Sequence, residues 1–184
     1  MAPSFIAMCS VAVGWHRFIL LGEMPGKVYL AAGPVVWRYL FSLVLIALLT
    51  GLLIAIVSIP VTALAFGDPR ALVVVTLVCN VLAMLLMSRL GLSLPHIALG
   101  NHRNLGSAFD KSAGNTWRLA AAGMLSWLPL IAASKATELL PGYAFEFGAW
   151  LPLFAVLTLM WLFAGIASVG VISHAYRSLW HNPK

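Results

Sequence analysis

Long apolar runs, rather than alternation, set the pattern of this chain. No charged residue occurs from position 39 to 67, where the core reads LFSLVLIALLTGLLIAIVSIPVTALAF. A bilayer's hydrocarbon layer takes about 20 apolar residues of helix, so 39–67 is a predicted transmembrane helix, with Pro60 expected to kink it near its far end. A second span is expected over 71–88, ALVVVTLVCNVLAMLLMS, between Arg70 and Arg89. A third covers 119–134, LAAAGMLSWLPLIAAS, and a fourth covers 147–176. Residues 1–15 are apolar too, but at about 1.5 Å per residue they are short for a crossing. The segment 1–23 is therefore expected at the interface or half inserted, with a short fifth span as the alternative.

Between the second and third spans lies the longest polar stretch, 89–118. Leu105, Phe109, Ala113 and Trp117 recur there every four residues, which predicts one amphipathic helix over 104–117 lying on the membrane surface. Ser107 with Asp110 matches the S/T-x-x-D/E pattern of a helix start. The expected class is an all-α integral membrane protein forming a single membrane domain over 1–184.

Composition agrees with that pattern. Of the 184 residues 62% are hydrophobic and 9% charged, against roughly 25% charged in soluble domains, and mean hydropathy is +0.99. Cys9 and Cys79 lie in apolar stretches with no CxxC partner, so buried free thiols are expected. The net charge of +6 comes from scattered basic residues without a run or patch, which argues against nucleic acid as a partner.

Charge placement assigns sides. Arg17, Lys27, Arg38, Arg89, Arg103, Lys111, Arg118, Arg177 and Lys184, nine of the eleven basic residues, fall on one side of a four-span arrangement. The positive-inside rule makes that side cytoplasmic, the C-terminus included, in a bacterial inner membrane. Trp15, His16, Arg17, Trp37, Arg38, Trp117, Arg118, Arg177 and Trp180 are then expected as anchors at the membrane boundary. In GWHRFILLGE (14–23), Arg17 and Glu23 stand six apart and His16 and Glu23 seven. In a straight helix only the second pair shares a face, two turns apart and too far for an ion pair, so Glu23 is expected to cap the loop or to meet a basic residue elsewhere.

Membrane helices associate through small residues. Ala47, Gly51 and Ala55 form such a stripe, with Ser58 nearby, and Ala164 and Ser168 form another. Asn80 is expected to bond to another span.

Candidate chemistry is sparse. The centres of the four expected spans hold no Asp, Glu, Lys, Arg or His, and no GxSxG, HExxH, P-loop or GxGxxG is present. Ionisable groups inside spans are how most membrane enzymes and coupled carriers work. No catalytic residue, cofactor or metal ligand is therefore assigned. His174, one turn after Gly170, matches the spacing by which helices admit a macrocycle, but its place beside Arg177 weighs against pigment or haem. A non-catalytic accessory or assembly subunit of a photosynthetic or respiratory complex is the leading expectation, with lipid and other membrane subunits as partners. The alternative is a small transporter or channel for an uncharged or lipid-like solute, with Thr50, Ser58, Thr62, Thr76 and Asn80 as its only polar stripe.

AVGWHRFILLGE (12–23), followed by WRYLF (37–41), resembles a signature of uncharacterised multi-pass inner-membrane proteins of alphaproteobacteria. The stretch RLGLSLPHIALGNHRNLGSAFDKSAGNTWRL (89–119) is similar to their cytoplasmic loop. The resemblance implies a multi-pass fold and brings no activity with it. Such proteins are expected to carry more apolar sequence ahead of the WHRF stretch than the 14 residues before Trp15 here.

Overall fold

The computed structural model describes residues 2–24, 33–64, 68–102, 104–138 and 150–181. Glu146, Lys27, Arg103 and Lys184, and the ends of the expected spans at 65–67 and 147–149, lie outside them. Among the described residues the chain is all helix and turn, without strands. The helices are α1 (Ala2–Leu21), α2 (Pro34–Leu64), α3 (Pro69–Gly91), α4 (Ser93–Ala98), α5 (Leu105–Lys111), α6 (Thr116–Glu138) and α7 (Trp150–His181).

Three stretches are long and apolar enough to cross a membrane: Pro34–Ala63, Arg70–Ala98 and Leu151–Trp180. The third expected span, 119–134, falls in α6, which is not among the three. It is 23 residues long but carries Arg118 near its start and Lys135 in its last turn. The N-terminal segment is longer than the sequence suggested, because α1 continues through Trp15 to Leu21 for 20 residues. Its apolar part, Phe5–Leu21, is shorter than the three spans.

Local chemistry sets several boundaries. Asp68 caps α3 by accepting from the Arg70 amide at 2.9 Å, and Pro69 occupies the first helical position, where a missing N–H costs nothing. Gly22 ends α1 at φ +69°, and its amide returns to Phe18 O at 3.0 Å.

The long helices close into a ring: α1 packs on α2, α2 on α3, α3 on α6, α6 on α7, and α7 back on α1. Five members make an odd ring, so neighbours run antiparallel except α1 and α7, which are parallel. At one end the C-termini of α1, α3 and α7 meet the N-termini of α2 and α6. The short α4 plugs that end, packed against α1, α2, α3 and α7. Five of its six residues are buried.

Burial is uneven along the ring. Cys9, Val13, Val36, Tyr39, Ile46, Leu90, Leu94, Ile97 and Ala98 form one core at the plugged end. Leu92, Ala108 and Tyr176 form a second beside it. From Gly51 onward α2 has no buried residue among those described, and neither has α3 before Cys79 nor α7 before Ala164. Leu48, Leu52, Val73, Leu77, Phe154 and Phe163 are instead more than half exposed, the pattern of side chains that meet lipid tails.

Candidate functional site

The plugged end also gathers the polar side chains. Cys9, Val13 and His16, spaced four and three, are buried on one face of α1, with Leu20 completing it. His16, expected as an interface anchor, is therefore fully buried. Its Nδ1 lies 2.7 Å from Ser173 Oγ on α7, and its Nε2 lies 3.2 Å from the Tyr39 hydroxyl on α2. Ser173 donates to Val169 O at 2.8 Å, so it accepts from Nδ1–H, and Nε2 is left to accept from Tyr39. One neutral imidazole thus joins three helices. Ser10, further along α1, is buried with an Oγ that has no partner among the described residues.

The Arg17–Glu23 pair corrects the sequence-level geometry. Arg17 Nε and Nη2 reach the two Glu23 carboxylate oxygens at 2.7 and 2.8 Å. Separation along a straight helix does not apply, because α1 stops at Leu21 and Gly22 turns the chain back. The Arg17 guanidinium, by hydrogen bond and charge, holds the Glu23 carboxyl below its usual range. Arg17 Nη1 also approaches Ala98 O at 3.4 Å, which ties α1 to the plug.

A second histidine repeats the arrangement one turn along α7. His96 Nδ1 lies 2.9 Å from the Tyr176 hydroxyl, and Tyr176 stacks on Trp180 at 4.5 Å. Lys111 Nζ covers the Trp180 ring at 4.4 Å, a cation–π contact that holds α5 to α7. Arg89 fastens α5 from the other side, donating to Ser112 Oγ at 3.0 Å and to Phe109 O at 2.7 Å.

The expected amphipathic helix over 104–117 is divided. Ser112 to Asn115 form a turn, with Gly114 at φ +81°, so Trp117 belongs to the next helix, α6. The face that α5 buries holds Ala108 and leads to Ser112, whereas Phe109 is 38% and Trp117 66% exposed. The helix start is Asn104, whose side chain accepts from the Ser107 amide at 2.9 Å, and not Ser107 with Asp110.

The remaining sequence-selected residues lie as follows. Trp15 and Trp37 are exposed, as are Arg38, Arg118 and Arg177, while Trp180 is half-buried in its stack. Ala164 is buried, and Ser168 Oγ lies 2.7 Å from Ser126 Oγ of α6. The other stripe behaves differently. The buried line of α2 is Tyr39, Ser42, Ile46 and Thr50, which leaves Ala47 and Gly51 exposed and Ala55 half-exposed. Nothing comes within 4 Å of where a Gly51 Cβ would stand. Asn80, expected to bond to another span, donates to Thr76 O of its own helix at 2.8 Å. His174 is exposed, and the space beside Gly170 holds Trp15 and Ile19.

Two hollows accompany these groups. One, of about 290 Å³, opens between the start of α2 and the end of α4 and is lined by Arg38, Ser42, Ile97, Asn101 and His102. The other, of about 210 Å³, lies between the far halves of α2 and α3, with Ser58, Thr62, Thr76, Cys79 and Asn80 in its walls. Among the described residues no three His, Cys, Asp or Glu side chains are grouped to hold a metal ion. The His16 and His96 networks can position helices; neither presents a hydroxyl to an activating base in an open site. Compared with protein-family models, curated proteins and solved structures, the chain matches none of them.

Proposed function

We propose that this chain is a polytopic inner-membrane protein without catalytic activity, an accessory or assembly subunit that docks another membrane subunit through helix contacts. A photosynthetic or respiratory complex is the concrete setting of this reading. The observation that carries it is the surface of α2 that the chain leaves uncovered. Ala47, Gly51, Ala55, Ser58 and Thr62 follow one another at helical spacing, and the last two pass into the hollow shared with α3. Small residues such as the uncovered Ala47 and Gly51 favour close backbone approach of another helix in lipid.

In this reading the protein has four crossings, α6 added to the three apolar spans, or five where α1 is inserted as well, with its basic end in the cytoplasm. Arg17, Arg38, Arg89, Lys111, Arg118 and Arg177 all belong to helix ends or turns gathered at the plugged end, which supports that orientation. The kinship with alphaproteobacterial multi-pass proteins of the WHRF-x-LLGE type is part of the same proposal.

The test is purification from native membranes of the wild type and of Gly51→Leu, at a position where an added Cβ has no neighbour within 4 Å. A membrane subunit in fixed ratio with the wild type, and lost from Gly51→Leu, is the expected outcome. A wild-type protein that migrates alone overturns the proposal. One observation favours the transporter reading: four of its five polar candidates, Ser58, Thr62, Thr76 and Asn80, share a single hollow. Flux of an uncharged solute into proteoliposomes would decide for it.

A further inference from the structure

We propose that the hollow between the start of α2 and the end of α4 binds the phosphate-bearing headgroup of an anionic phospholipid. The proposal needs only that α2 crosses a bilayer and is independent of any partner subunit. The chemistry of the lining carries it. Arg38, Asn101 and His102 supply a guanidinium, an amide and an imidazole as donors, and no carboxylate lines the hollow among the described residues. Ser42 donates to Arg38 O at 2.7 Å and shapes the wall one turn deeper. Among the described residues Arg38 forms no ion pair; at this end of the fold Glu23 is engaged by Arg17, and Asp110 stands on α5, outside the lining of the hollow. At about 290 Å³ the hollow has room for a phosphate with its ester arms.

The position of the hollow on the molecule commits it to a lipid rather than to a free anion. Arg38 stands in the second turn of α2, the most apolar span, at the boundary where headgroups lie. Flanking it on the same helix, Trp37 and Phe41 are 41% and 61% exposed with ring centroids 6.2 Å apart. An aromatic pair beside a basic hollow gives acyl chains an apolar surface while the phosphate meets Arg38. Arg89, Lys111, Arg118 and Arg177, gathered at the same end, add a field that concentrates anionic lipid.

Native mass spectrometry of the protein from detergent micelles, supplied with phosphatidylglycerol or phosphatidylcholine of matched acyl chains, tests the site. The wild type is expected to retain phosphatidylglycerol preferentially. Arg38→Gln should lower that retention about fivefold, the effect of one cation at a membrane surface. His102→Gln should lower it in the same direction. Arg70→Gln, which removes an equal charge at the other end, should leave it unchanged. Both lining residues are exposed, so the variants are expected to fold, and an unaltered circular dichroism melt checks this. Equal retention of the two lipids by the wild type, or equal losses in Arg38→Gln and Arg70→Gln, overturns the proposal. Glycerol phosphate, the headgroup without its chains, should not displace the bound lipid; displacement would assign the site to a soluble phosphate ester and overturn the lipid assignment.

Discussion

At Tyr39, exchanging the hydroxyl for hydrogen leaves His16 Nε2 without a donor in a site closed to solvent. An unpaired buried polar atom costs about 1–3 kcal/mol, so Tyr39→Phe should destabilise the folded chain by that amount in a mild-detergent unfolding assay. An unchanged midpoint would show that the 3.2 Å contact contributes no stability. The sequence contained the signal for this site. Cys9, Val13, His16 and Leu20 repeat at four, three and four, which marks an inward face, but the neighbouring Trp15 and Arg17 gave His16 the look of an interface residue. What no spacing could show was its partners, since Ser173 lies 157 positions away.

The end of α1 makes the corresponding point for an element. Helix geometry forbids an Arg17–Glu23 pair as long as the helix continues, and permits it once Gly22 adopts φ +69°. Because the pair lowers the carboxyl pKa in the folded state, its contribution is fully present above the ordinary carboxylate range. It is lost as pH falls through the lowered folded value. Carbon-13 NMR of the Glu23 carboxyl in micelles should therefore give a midpoint below the ordinary one, and Arg17→Gln should restore it. Coincident midpoints in the two proteins would refute the pairing. The same kind of local event divides α5 from α6. Four-residue recurrence from Leu105 to Trp117 reads as one helix, but the Gly114 turn and the fastening of Ser112 by Arg89 redirect the chain. Glycine positions were visible in the sequence; their left-handed conformation was not.

For the molecule as a whole, the ring order is the central result. Contact between α6 and α7 is fixed at mid-helix by Ser126 and Ser168, whose hydroxyls lie 2.7 Å apart. Ser126→Cys with Ser168→Cys, in a chain with Cys9→Ser and Cys79→Ser, should form a disulfide on mild oxidation, seen as a mobility shift without reductant. Failure to cross-link would mean that the two Cα atoms stand outside the roughly 4.4–6.8 Å that a disulfide requires. The uneven core has a further consequence at this scale. Buried residues concentrate around α4, and the opposite halves of α2, α3 and α7 meet their surroundings through apolar side chains.

Sequence alone determined the solvent of this protein and the positions of its three apolar spans, because hydrocarbon length and the cost of buried charge act on composition directly. It determined the gathering of basic residues towards one end for the same reason. Tertiary structure decided what the 89–118 stretch does. Read as a surface loop, it instead sends Ser93–Ala98 into the bundle as a plug, because Leu94, Ile97 and Ala98 complete the apolar core that the ends of the long helices leave open. Tertiary structure also decided which small-residue stripe is used within the chain. Ala164 and Ser168 pack on α6, while Ala47 and Gly51 stay uncovered, since α2 turns its Tyr39–Thr50 line inward to meet His16 and α4. Spacing defines a helix face; only the neighbours determine which face is filled.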